Sequence, residues 1–139
     1  MKKKTYVVGF LFNQDRNKVA LIKKLKPQWQ KGLLNGVGGK IEAGETSKEA
    51  MIREFREETG VDTSDLDIWD KYAVIEFPKA TLNVFRAFSD RVYDVKTVEK
   101  EEVSILYVAD LPMIPDQLIY NIVQLVTKAL EQEKDTLVS

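Results

Sequence analysis

Residues 39 to 61 read GKIEAGETSKEAMIREFREETGV, and the organisation of the chain follows from this stretch. Its second half has helical character from Thr46 to Thr59. Thr46 suits an N-cap, Glu49 stands where a capping-box partner belongs, and Gly60 supplies a stop. On a wheel advancing about 100° per residue, Glu54, Glu57 and Glu58 share one face. Met51, Ile52, Phe55 and Thr59 fall on a neighbouring arc that can pack against a sheet. Three like charges on one face repel; a divalent cation turns that repulsion into a binding site. A solvated acidic helix face is the plain alternative. The glycine-rich entry Gly38-Gly39-Lys40-Ile41-Glu42-Ala43-Gly44-Glu45 lets backbone approach a ligand, and the planar fork of Arg53 can clamp a carboxylate of that loop.

Outward from this stretch, Thr5–Phe12 and Lys18–Leu25 read as strands joined by a turn at 13–17. Pro27 to Gly32 reads as a loop, followed by the glycine-rich run at 35–39. Ile68–Phe77 and Ala80–Phe88 form two more strands around Pro78, and Val103–Val108 another. Pro115 suits the first turn of a last helix, about 115–131, whose buried face is Leu118, Ile122, Leu125, Val126 and Ala129. Residues 131–139 are polar and expected to fray. Strands surrounding two long helices describe an α+β or α/β sandwich, with residues 1–139 as one domain.

Composition narrows the chemistry. Among 139 residues, 21 basic and 22 acidic side chains nearly cancel, so net charge gives no support for a nucleic-acid partner. There is no cysteine and no histidine. That excludes disulfides, thiolate catalysis and zinc–cysteine sites, and removes the usual general base. Oxygen-only ligation points to a hard ion, Mg²⁺ or in its place Mn²⁺. No apolar stretch is long enough for a signal peptide or a membrane span, so a cytoplasmic location is expected.

Gly39, five residues, Glu45, seven residues, then Arg53-Glu54-Phe55-Arg56-Glu57-Glu58-Thr59-Gly60-Val61 resembles the complete Nudix box, with Phe55 where a bulky aliphatic is usual. The resemblance implies the Nudix α/β/α sandwich: a mixed central sheet with the box helix on one side and the Pro115 helix on the other. It implies metal-dependent hydrolysis of a phosphoanhydride in a nucleoside diphosphate derivative. Glu57 and Glu58 would be principal metal ligands, with Glu54 a ligand or water-orienting group and the Gly39 carbonyl a further ligand. Arg53 and Glu45 would be their structural support. Many relatives add a glutamate from outside the box. Among Glu99, Glu101 and Glu102 we favour Glu102, for its spacing to Tyr107; a charged strand edge is the alternative.

Substrate choice lies outside the box. The run at 35–40 resembles Nudix enzymes that remove oxidised purine nucleoside triphosphates, in which the Asn contacts the purine. Their base-reading Trp-Pro-Asp-Asp stretch has Ile114-Pro115-Asp116-Gln117 as its counterpart here. The expected substrate is therefore a purine nucleoside triphosphate, cleaved to monophosphate and pyrophosphate, with Asn35, Asp116, Gln117 and Lys23 as contacts. Three of these have a plainer role: a turn for Asn35, a first-turn acid for Asp116, and a solvated strand end for Lys23, as for its neighbour Lys24, which could likewise touch phosphates. Trp29 and Trp69 could line the pocket or cover core. An ADP-ribose or nucleoside-sugar pyrophosphatase is the second reading, favoured by Pro78 near a proline position of such relatives. A nucleotide sensor would be expected to lose box carboxylates, and all are present. Either enzyme would be a monomer or homodimer acting on a small nucleotide.

Overall fold

The computed structural model describes residues 3–138, with side chains up to Glu131. Its elements are β1 (Lys4–Phe12), β2 (Lys18–Lys23), β3 (Leu34–Asn35), β4 (Val37–Lys40), α1 (Ser47–Thr59), β5 (Asp70–Phe77), β6 (Ala80–Phe88), β7 (Val103–Tyr107) and α2 (Ile122–Val138). One mixed seven-stranded sheet has the order β3-β2-β1-β6-β5, with β4 paired to β1 and β7 paired to β2. Strands β1 and β6 run parallel in continuous register from Lys4↔Ala80 to Phe12↔Phe88. The other named pairings are antiparallel.

The two-residue period of the strands divides the core between the sheet's faces. Val7 and Leu11 of β1, Ala20 and Ile22 of β2, and Phe85 and Ala87 of β6 pack against Ala50, Met51 and Phe55 of α1. Their neighbours Val8, Phe10, Phe12, Val19, Leu21 and Val84 pack against Ile122, Leu125, Val126 and Ala129 of α2. Helices on opposite faces of a mixed sheet are the sandwich expected from the sequence. Trp69 belongs to the α1 side, edge-on to Phe55 and donating to Thr63 Oγ1 at 2.8 Å. It covers core. Across the other face, the buried Tyr72 hydroxyl donates to the Leu125 carbonyl of α2 at 2.7 Å.

The start of the last helix differs from expectation. Pro115 opens a single 3₁₀ turn, Pro115–Gln117, and α2 begins at Ile122 rather than near 115. Between them Leu118 bridges Leu34 of β3, and the Ile119 N–H donates to the Leu34 carbonyl at 3.0 Å. The short β3 would otherwise leave polar backbone unpaired, and extending 118–119 satisfies it. Leu118 is buried, but as part of this bridge rather than on the helical face. The end of the helix also differs: α2 continues to Val138, where fraying was expected from 131, and Ser139 lies outside the described residues. The glycine-rich run at 35–39 lies across β3 and β4, with Gly38 and Gly39 opposite Val8 and Val7. Pro78 lies in the tight connection between β5 and β6, where Phe77 pairs with Ala80.

Candidate metal and nucleotide site

The site is built where β4 passes into α1. Thr46 caps the helix as the sequence implied: its Oγ1 accepts the Glu49 N–H at 3.1 Å, and Glu49 Oε1 accepts the Thr46 N–H at 2.8 Å. Gly60 ends the helix in the left-handed region, φ 79°. With both ends defined, the orientation of the acidic face is set.

Arg53 ties this face to the preceding loop. Its Nε donates to Glu45 Oε2 at 2.6 Å and its Nη2 to Glu45 Oε1 at 3.0 Å. Nη2 also reaches the Lys40 carbonyl at 3.0 Å. Nη1 donates to Glu54 Oε2 at 3.1 Å and to Glu57 Oε2 at 3.3 Å. These five contacts match the five N–H donors of a guanidinium. The pairing holds the Glu45 carboxyl below its usual range and pushes the Arg53 guanidinium further up. The supporting pair expected from the sequence is thus present, and it also touches two of the acidic residues it supports.

Glu54 lies partly buried against Gly39, where a Cβ would collide with the Glu54 carboxylate. Burial raises its pKa; Arg53 opposes the shift, while Glu57 and Glu99 add to it. Glu58 is more enclosed, 8% exposed, and its Oε2 is buried with no hydrogen-bond partner. Its carboxyl is pushed up to about 8, chiefly by burial; Lys24 opposes, and Glu54 and Glu101 add to the shift. Glu57 is the more open of the three, with its side chain 43% exposed.

Among the described residues no three acidic side chains already converge into a metal cage. They are shared out among cations, Glu54 and Glu57 against Arg53, Glu101 against Lys24. The donor set nevertheless suits a hard divalent ion. A buried carboxylate oxygen lacking a partner, next to other carboxylates and a glycine backbone, is costly alone and favourable around a cation.

Of the glutamates outside the box, Glu101 is the one set against Glu58, while Glu102, favoured from the sequence, is turned to the surface. Glu101 faces Glu58 and is held by Lys24 Nζ at 3.3 Å and by the Leu25 N–H at 2.7 Å. The Glu102 side chain is exposed; its backbone carbonyl accepts the Lys23 N–H at 2.9 Å. The residues just before β7 explain the arrangement: the Glu102 carbonyl takes the Lys23 N–H beside β2, and the bend ahead of it carries Glu101 to Lys24 and the Leu25 N–H. These contacts join segments distant in the chain, on which the spacing to Tyr107 carries no information.

The residues expected to meet the base lie along one edge. Asn35 in β3 donates from Nδ2 to Gln30 Oε1 at 3.2 Å, and its Oδ1 accepts the Gly36 N–H at 2.7 Å. Asp116 and Gln117 are exposed in the 3₁₀ turn brought beside β3 by the Leu34–Leu118 bridge. Lys23 is exposed at the end of β2. Trp29, 65% exposed in the turn Gln28–Gln30, precedes the Gln30 that holds Asn35. Sequence reasoning gave no role to Gln30.

A family model described as the NUDIX domain matches residues 2–117. An 8-oxo-dGTP diphosphatase of Escherichia coli K12 is 33% identical over 78 residues, 56% of this chain and 59% of that protein. One from Haemophilus influenzae is 27% identical over 84 residues, 60% of this chain and 61% of that protein. The chain thus spans under two thirds of the length of the curated relatives it matches. Among solved structures, a MutT chain from work on Aliivibrio salmonicida and Vibrio cholerae superposes with TM-score 0.69 at 22% identity, covering 91% of this chain and 98% of that one. The NUDIX domain of Shewanella oneidensis NrtR, cocrystallised with ADP ribose, superposes with TM-score 0.72 at 18% identity, covering 96% and 90%. At such identities the superpositions speak for the fold alone.

Proposed function

The chain belongs to the NUDIX domain family, and from that premise we propose that it is a Mg²⁺-dependent hydrolase converting a purine nucleoside triphosphate to the monophosphate and pyrophosphate. The observation that carries this reading is the buried, unpartnered Glu58 Oε2 on a helix face shared with Glu54 and Glu57. Glu57 and Glu58 would hold the ion, with Glu54 and the Gly39 carbonyl completing the protein's share. Mn²⁺ would substitute. A bound divalent cation supplies charge neutralisation on the phosphates and a water of lowered pKa.

The protein's own residues do the rest. Arg53, braced on Glu45, fixes Glu54 and Glu57 on the face where phosphates would lie. Glu101 brings a further carboxylate against Glu58, as ligand or as base for the attacking water. Asn35, steadied by Gln30, presents an amide to the base, while Asp116, Gln117 and Lys23 flank the same edge. The 8-oxo-dGTP diphosphatases among the relatives support the choice of a triphosphate. We place the protein in the cytoplasm, acting on a small nucleotide as monomer or homodimer. No described helix is long and apolar enough to cross a membrane.

The test is product analysis with Mg²⁺ over 8-oxo-dGTP, the four dNTPs and ADP-ribose. Pyrophosphate released chiefly from triphosphates is the expected result. AMP and ribose phosphate from ADP-ribose, with triphosphates untouched, would replace the substrate class while keeping the chemistry.

A further inference from the structure

Lys24 follows the last residue of β2, and its backbone is fixed on both sides. Its N–H donates to the Leu33 carbonyl at 2.9 Å, and its carbonyl accepts the Gly32 N–H at 2.8 Å. From this fixed point the ammonium reaches Glu101 Oε1 at 3.3 Å, the two side chains being only 17% and 15% exposed. The other Glu101 oxygen accepts the Leu25 N–H at 2.7 Å. Glu101 therefore has two anchors, one charged and one neutral. Glu58, with its buried and unpartnered Oε2, lies within reach of both Glu101 and the Lys24 charge.

The cluster of like charges is thus balanced from two directions. Arg53 serves Glu45, Glu54 and Glu57 with every donor committed, and its rigid fork suits a permanent support. Lys24 serves the Glu58–Glu101 side with a flexible stem and a point charge that can swing away. The Leu25 N–H would keep Glu101 in place without it.

We propose that Lys24 is an internal counter-cation, standing in for the divalent ion on the Glu58–Glu101 side of the site and competing with it. This rests on the metal-binding reading of the box carboxylates. A residue that only positioned Glu101 would, when removed, weaken metal binding. A competing cation would, when removed, strengthen it. The two roles have opposite signs.

The experiment is a calorimetric titration of Mn²⁺ into the nucleotide-free protein at fixed pH and ionic strength, beside metal-free thermal unfolding. Lys24→Met should tighten Mn²⁺ binding by about tenfold, the order expected for deleting a unit charge a few ångströms from a divalent ion in a partly screened site. Lys24→Gln should do the same, should the first variant fold poorly. Lys24→Arg keeps the charge and should stay near wild type. Metal-free Lys24→Met should melt lower than wild type, and Mn²⁺ should close the gap. In a Glu101→Gln background the tightening should shrink, because part of what Lys24 competes for is gone. Unchanged or weaker Mn²⁺ binding in both neutral variants would overturn the inference alone. Wild type failing to bind Mn²⁺, or Glu58→Gln binding it as well as wild type, would overturn the metal-site reading and this inference with it.

Discussion

Arg53 grips Glu45 through two parallel hydrogen bonds, Nε to Oε2 at 2.6 Å and Nη2 to Oε1 at 3.0 Å, closing the loop after β4 onto the first turns of α1. The fork leaves Nη1 to hold Glu54 and Glu57. A lysine has the charge without the planar geometry and cannot make these contacts together. Arg53→Lys should therefore lower kcat/KM by about 10–100-fold, the range seen when a partner that orients a metal ligand is lost. Steady-state kinetics with Mg²⁺, alongside circular dichroism to show the fold retained, measures this.

Glu57 is the more exposed box carboxylate, so its replacement should disturb packing least. Glu57→Gln is expected to reduce kcat by more than the about 10–100-fold typical of an outer partner, because a charge on the ion itself is lost. Its melting temperature should stay close to wild type. Near-normal kcat at saturating Mg²⁺ would remove Glu57 from the ligand set.

Gly39 is required by proximity. Any side chain there meets the Glu54 carboxylate at the Oε2 that Arg53 holds. Gly39→Ala should push Glu54 aside by about an ångström and cost about 100-fold in kcat/KM, as misplacement on that scale does. Kinetics combined with a crystal structure of the variant would show whether Glu54 or the strand has moved.

The Tyr72 hydroxyl donates to the Leu125 carbonyl across the other face of the sheet, away from α1. Tyr72→Phe removes one of two hydrogen bonds on that carbonyl, the other being the helical bond of α2, and should cost about 0.5–1.5 kcal/mol. Urea unfolding should show a lower midpoint with an unchanged slope. A loss under about 0.3 kcal/mol would mean that the tyrosine bond adds nothing to the helical one.

Much of this protein could be read from local sequence, because the deciding interactions are local. Thr46 and Glu49 sit three residues apart and satisfy each other's backbone, so the start of α1 is written in four residues. The three- and four-residue steps between Glu54, Glu57 and Glu58 follow from helix geometry alone. The alternation in β1 and β6 assigns each residue to a face before any partner is known. Tertiary structure decided what depends on residues distant in the chain. Leu34 draws Leu118 and Ile119 into extended backbone, which delays α2 to Ile122 despite helical apolar spacing from Leu118. Pairing of β7 with β2 brings Glu101 beside Lys24, 77 residues away in sequence, and turns Glu102 outward. Helical periodicity and capping arise within a turn or two of chain. Strand partners and ion pairs between remote segments exist only once the sheet has closed, and those contacts complete the site.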